Sequence, residues 1–434
     1  MRKIGSTRDS TINSGRAIIG ALLCSTALVA VSMAQAQSAW DGSVNTNWNR
    51  AGNWSTGAVP TNADTVVIND AGLGNQPIVR PGPAQADLTR IEAGTLTVKG
   101  QLTSPLVRVL GTGGLTIGRS GEIVGTVRVE DGTGRNRGTI TGGLNVTGGT
   151  AVSSGTITGP VNVRGTGALT LGGTGSVAGP VTVAETGALT LTGGTAIDDT
   201  ATVRVNGGTL SLEASEVIGS LAGTGGAVNL GTSHLTTGGA GTNTGYAGAV
   251  TGATGSALVK TGAGVMTLSG RVTTTGALRV EGGTLALTGA ALDAPSARSA
   301  QVTGGTLGGT ATLALTGGYA QSGGRLGAAL TVNAAGTKAL TGGTIAGTLG
   351  GPGATRVSGG TVTVTGTIAG DVLVRDATLV LGQSDAVAGT LTVRQSVLRY
   401  ADGVTEASAL VLDGAETRLE VLGDDTATQA GAIS

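Results

Sequence analysis

The chain of 434 residues contains no phenylalanine, three tryptophans, three tyrosines, nine prolines, one histidine and one cysteine. Each shortage excludes something. A wide globular core normally leans on large aromatic side chains, so ordinary globular domains are disfavoured. Scarce proline, with glycine in no strict three-residue period, excludes collagen. One histidine and one cysteine cannot build a His/Cys metal site, and no cofactor is expected. Basic and acidic residues balance at 26 each. No basic patch with interleaved aromatics points to nucleic acid. After the first 36 residues, no apolar run is long enough to span a bilayer as a helix.

What is present is glycine, 82 residues of it, with Ala, Val, Leu, Ile and Thr. Those apolar side chains fill a narrow interior. Glycine richness also suits disorder, but β-branched alternation and low charge weigh against it.

The N-terminus reads as an export signal over 1–36. Arg2, Lys3, Arg8 and Arg16 precede the apolar run AIIGALLCSTALVAVSM at 17–33. Ala34 and Ala36 flank Gln35 as a small-x-small cleavage site, so the mature chain is expected to begin at Gln37. Its charge would then be 22 basic minus 25 acidic residues, or −3, because four basic residues and Asp9 leave with the signal. Cys24 lies inside the apolar run, so the mature chain would hold no disulfide in an oxidising destination.

The rest repeats itself. GPVNVRGTGALTL at 159–171 returns as GPVTVAETGALTL at 179–191. In VNV and ALTL, side chains alternate faces, so Val161 and Val163 share one face with Asn162 opposite. Gly165 and Gly167 mark a turn. GTLTVKG, GGLTIG, VRVNGGTLSL, LRVEGGTLALTG, GGTVTVTGT and VRDATLVLG repeat the theme. Each unit is too short to bury its own face, and stacked units bury a continuous thin core. An antiparallel sandwich or barrel would need hairpin turns, typically Asn-Gly or Asp-Gly, which occur at 131, 206 and 413, but most turns are Gly-Gly, Gly-Thr or Thr-Gly. An all-β, right-handed parallel β-helix fits the 20-residue return better. About 350 residues in coils of about 20 give about 17 coils and a rod of about 80 Å. Threonine hydroxyls would form outward ladders.

Two segments carry a resemblance. WDGSVNTNWNRAGNWSTGAVPTNADTVVIND at 40–70 holds the three tryptophans, Trp40, Trp48 and Trp54. It resembles the head of many bacterial secreted β-helical proteins and autotransporter passengers. Physically, an open β-helix end needs covering, so 37–75 reads as an N-terminal aromatic cap. A carbohydrate-stacking platform is the alternative. The second segment, 244–289, contains LVKTGAGVMTLSG followed by LRVEGGTLAL. It resembles the passenger-associated transport repeat of type V autotransporters, through Leu258, Lys260, Gly262, Gly264, Leu268, Gly270, Gly283 and Leu285. RVTTTGA stands where that family usually carries a tyrosine-bearing segment. The remaining repeats, over 76–434, would be the β-helical passenger.

The resemblance implies export through the periplasm to the Gram-negative surface or the extracellular space. It also implies an outer-membrane β-barrel translocator as partner. Such barrels carry aromatic girdles. With no Phe, and Tyr only at 246, 319 and 400, the translocator is expected downstream in the same gene product or as a separate protein.

Catalytic motifs are sparse. His234 in GTSHLTT has no G-x-S-x-G elbow to serve and reads as a turn or surface residue. The pairs Asp198-Asp199 and Asp424-Asp425 would point to opposite strand faces. Arg135 and Arg137 in GTGRNRG read as solvated loop residues, with no helix following to bind phosphate. The expected function is therefore non-catalytic: adhesion to a host or neighbouring-cell surface, self-association, or a structural stalk. The alternative is a secreted β-helical polysaccharide hydrolase or lyase.

Overall fold

The computed structural model describes residues 37–173, 175–289, 294–423 and 427–434. The cleavage site at Ala34 and Ala36, Cys24, and the Asp424-Asp425 pair lie outside the described residues. One compact unit spans 36–434.

The fold is all-β: parallel sheets stacked as a β-solenoid of about 19 turns. Regular helix among the described residues is limited to the single 3-10 turn Ala51–Asn53, and among the same residues no helix is long and apolar enough to cross a membrane. Every strand-to-strand ladder described is parallel; the antiparallel contact is an isolated bridge between Trp40 and Trp54. The echo in the sequence is a coil on its copy. Val161 pairs with Val181 and Val163 with Val183, while Leu169 and Leu171 pair with Leu189 and Leu191.

Alternation decides what goes inside. Val161 and Val163 are fully buried with Asn162 outside. The Asn162 amide donates to Asn145 Oδ1 on the preceding coil at 2.8 Å. Each coil contributes short strands to several such columns, as in Leu144–Val146, Thr150–Ser153 and Thr156–Ile157. Burying each Val or Leu contributes roughly 1.5–3 kcal/mol, and the column repeats that gain on each coil without needing a wide core.

Coil length varies more than the echo suggests. Leu144 pairs with Val161, a step of 17 residues, and Leu235 pairs with Leu258, a step of 23. The turns outnumber the 17 expected because nearly all of 37–434 is coiled, where the expectation counted about 350 residues. Asn206-Gly207 makes no hairpin. It lies within the strand Thr202–Leu212, which bends at Gly207, where φ is +120°.

Glycine has a specific place in this stack. GEIVG, GTITG, GTITG and GSVAG begin at Gly121, Gly138, Gly155 and Gly175. Their central Ile123, Ile140, Ile157 and Val177 form one buried column, continued by Ile197. A Cβ on Gly138 would lie 2.0 Å from the Gly121 carbonyl oxygen, and one on Gly155 would lie 2.1 Å from that of Gly138. Only a residue without a side chain lets these corners stack.

Candidate functional site

Gln37 opens the first described strand, Gln37–Ala39, which pairs with Thr65–Asn69. The three tryptophans lie beside that pair. Trp54 packs edge-to-face on both others, with ring centroids 4.9 Å from Trp40 and 4.8 Å from Trp48. Trp54 Nε1 donates to Trp48 O and Trp40 Nε1 to Asn75 O, both at 2.7 Å. Asn53 is buried beneath them; its Oδ1 accepts from the backbone N–H groups of Val44 and Asn45. All three indoles are at most 2% exposed, so no ring face is open to a sugar.

The eight residues of the transport-repeat-like segment are structural positions. Its two halves are successive coils: Leu258 pairs with Leu278, Met266 with Leu285, and Leu268 with Leu287. Leu258, Leu268 and Leu285 are core residues. Gly262 and Gly283 adopt φ of +65° and +59°. A Cβ on Gly264 or Gly270 would lie 2.2 Å from a carbonyl oxygen of the coil below. Lys260 is buried, and its ammonium donates to the carbonyl oxygens of Thr261, Gly262 and Gly282. Burial lowers its pKa.

Lys260 belongs to a set of buried polar residues that sequence reading largely missed. Lys338 donates to the carbonyls of Gly351 and Gly353, and burial likewise lowers its pKa. Tyr319 donates to Gln321 Oε1 at 2.6 Å, and Gln321 Nε2 donates to the carbonyls of Gly324 and Thr344. Glu216 is 1% exposed and accepts from the backbone N–H groups of Ile197 and Ala196. Desolvation outweighs those two bonds and pushes its pKa up to about 7. Glu406 occupies a comparable setting, accepting from Val387 N and Ser408 N. These groups close backbone valences at buried or half-buried turns, and they carry no signature in a strand pattern.

The reactive-looking residues are dispersed. His234 begins the strand His234–Thr237, with Nε2 3.1 Å from Gly255 O. Asp198 accepts from the backbone N–H and hydroxyl of Thr200, and these bonds lower its pKa. No cluster of three or more His, Cys, Asp or Glu suited to a metal occurs among the described residues.

What the surface does bring together is polar and cationic. GTGRNRG is a loop only in part: Thr133–Asn136, with Arg135, is a strand, and Arg137 lies in the bend that follows it. Asn136 points inward and bonds Ser153 Oγ at 3.0 Å, so Arg135 and Arg137 both face out. The backbone N–H of Arg137 donates to Ile117 O, placing Arg137 over Gly118 and beside Arg119 of the coil below. Arg119, Arg135 and Arg137 line one open concavity with Ser154 and Gly173. On the other side of Arg135, a second concavity is lined by Thr95, Thr116, Thr133, Thr150 and Val152.

A longer uncharged column runs further along the rod. Thr170, Thr190, Ser211, Asn229, Thr251, Thr273 and Ser296 pair in sequence on successive coils. Four of these, Asn229, Thr251, Thr273 and Ser296, border a concavity with Thr275.

No curated protein and no solved structure matches the chain. Residues 39–148, which take in the tryptophan cap and the first coils, are similar to a family described as a domain of unknown function, DUF8693.

Proposed function

We propose that this chain is an exported β-helical passenger of the autotransporter type, displayed at or shed from a Gram-negative cell surface. It works by contact, in adhesion, self-association or as a stalk, and it reaches the surface through an outer-membrane β-barrel translocator. The observation that carries this reading is the column from Thr170 to Ser296. Seven hydroxyl or amide side chains follow one another in register, spaced by the roughly 4.8 Å between strands. Each offers a weak polar contact, and many engaged together gain through effective concentration what one cannot supply. The N-terminal signal and the transport-repeat-like segment at 244–289 support the route.

A β-helical hydrolase or lyase would need carboxylates from separate positions facing one cleft. Four concavities along the rod are lined by Arg, Thr, Ser, Asn, Gly, Ala, Leu and Val, with no carboxylate among their described residues. This favours the binding reading.

Protease shaving of intact cells, with mass spectrometry of released and retained peptides, tests the proposal. Peptides from 40–420 should be released without lysis. Protection of those peptides in intact cells would sink the surface assignment. Unchanged aggregation and attachment after deletion of the gene would sink the contact role.

A further inference from the structure

We infer that the concavity formed by Arg119, Arg135 and Arg137 is a binding site for a polysaccharide bearing sulfate or phosphate groups. The site lends the adhesive reading a ligand class and rests on that reading for its biological role, although its chemistry stands on the geometry of the three arginines alone.

The three guanidinium groups come together from two successive coils, 16 to 18 residues apart in sequence, onto one concave surface. They have no acidic partner within 4.0 Å among the described residues. Five other arginines on this rod are paired; among the described residues the remainder, like these three, are not, and convergence on one concavity is what distinguishes this trio. Arg108 bonds Glu130 through two nitrogens, at 2.8 and 2.7 Å. Arg90, Arg375, Arg394 and Arg399 lie within 3.4 Å of Glu92, Asp376, Asp413 and Glu420 respectively. The nearest acidic residue in the coil of Arg119, Glu122, is engaged by the Gln101 amide at 2.7 Å. Three unpaired like charges on adjacent coils repel one another, and an oxyanion relieves that repulsion. Guanidinium is also the side chain best shaped to hold sulfate or phosphate through paired N–H donors.

The second half of the surface argues for a sugar chain over a lone ion. Arg135 lies in register between Thr116 below and Val152 above. Val152 is 46% exposed, an apolar spot on a polar strand face. Beside it Thr133 pairs with Thr150. Hydroxyls and a small apolar patch next to a cationic pocket match a pyranose with its anionic substituent turned toward the arginines. A chain laid along the rod meets the pocket on one side and the threonines on the other, with Arg135 common to both.

The test uses the mature full chain and immobilised dextran sulfate, with neutral dextran as control. The wild-type protein should be retained on dextran sulfate, elute with rising salt, and pass neutral dextran. Arg119→Gln/Arg135→Gln/Arg137→Gln should lower affinity at least tenfold with an unchanged melting temperature. Arg298→Gln/Arg325→Gln/Arg356→Gln removes the same charge elsewhere and should bind as wild type. Equal loss in both triple variants, or equal retention on both matrices, would overturn the site. Retention on phosphatidylglycerol vesicles but not on dextran sulfate would overturn the polysaccharide assignment. Inorganic sulfate that competes as well as the polymer, per sulfate, would do the same. Shaving of intact cells reads surface display separately, so a failure of display and a failure of the site are distinct results.

Discussion

The ammonium of Lys260 donates across the gap between coils to the carbonyl oxygen of Gly282, at 3.3 Å. With its bonds to Thr261 and Gly262, it closes two half-buried turns at once. Lys260→Met keeps the aliphatic volume and removes all three donors. An unsatisfied buried carbonyl costs about 1–3 kcal/mol, so the variant should lose about 2–3 kcal/mol. Hydrogen exchange should accelerate over 261–283 and stay unchanged near the tryptophan cap. Unchanged exchange there would show that the lysine is dispensable.

Trp54 is the shared member of both ring contacts in the cap. Trp54→Ala should cost roughly 3–5 kcal/mol and expose the first coils. The emission of Trp40 and Trp48 should shift to the red, and limited proteolysis should begin near residue 75. Trp54→Phe, which loses the bond to Trp48 O, should cost only about 1 kcal/mol beyond lost area.

The glycine corners make a sharp prediction. Gly138→Ala drives a Cβ to 2.0 Å from Gly121 O and 2.4 Å from Gly118 O. Backbone must move, at a cost of about 3 kcal/mol. Gly245 has nothing within 4 Å of its hypothetical Cβ, so Gly245→Ala should stay within about 0.5 kcal/mol of wild type. Urea midpoints compare the two, and equal effects would refute the steric account.

Glu216 predicts a pH dependence. Its folded pKa of about 7 lies above the ordinary value of 4.5, so the folded state holds the proton longer. Its contribution is fully present below about pH 4.5 and is lost as pH rises through about 7. Two accepted N–H bonds and the nearby Asp199 carboxylate act on the same group, with opposite signs. The loss should be on the order of 3 kcal/mol. Glu216→Gln should flatten the melting temperature across that window. A slope identical to wild type would assign the dependence to another group.

The register of Val161 over Val181 and the aromatic cap were legible because repetition and clustering are properties of the string itself. The Ile123, Ile140, Ile157 and Val177 column was also written there, in G-x-I/V-x-G units, but at steps of 17, 17 and 20 residues that hide among the other glycines. The association of Arg119 with Arg137 was not legible. Which corner residue meets which depends on each coil's length, and those lengths vary. Lys260 stood out by resemblance alone. That it points inward, to carbonyls, follows only from the turn geometry around Gly262 and Gly282.

The in-register stacking of residues 159–171 on 179–191 has a genetic consequence. Each coil touches its immediate neighbours, and matched positions recur on both. Copying one coil within the gene therefore inserts a turn whose upper and lower faces already fit, and the rod lengthens by one strand spacing of about 4.8 Å. Reach becomes adjustable by recombination between near-identical stretches, leaving the cap and the arginine corner unchanged.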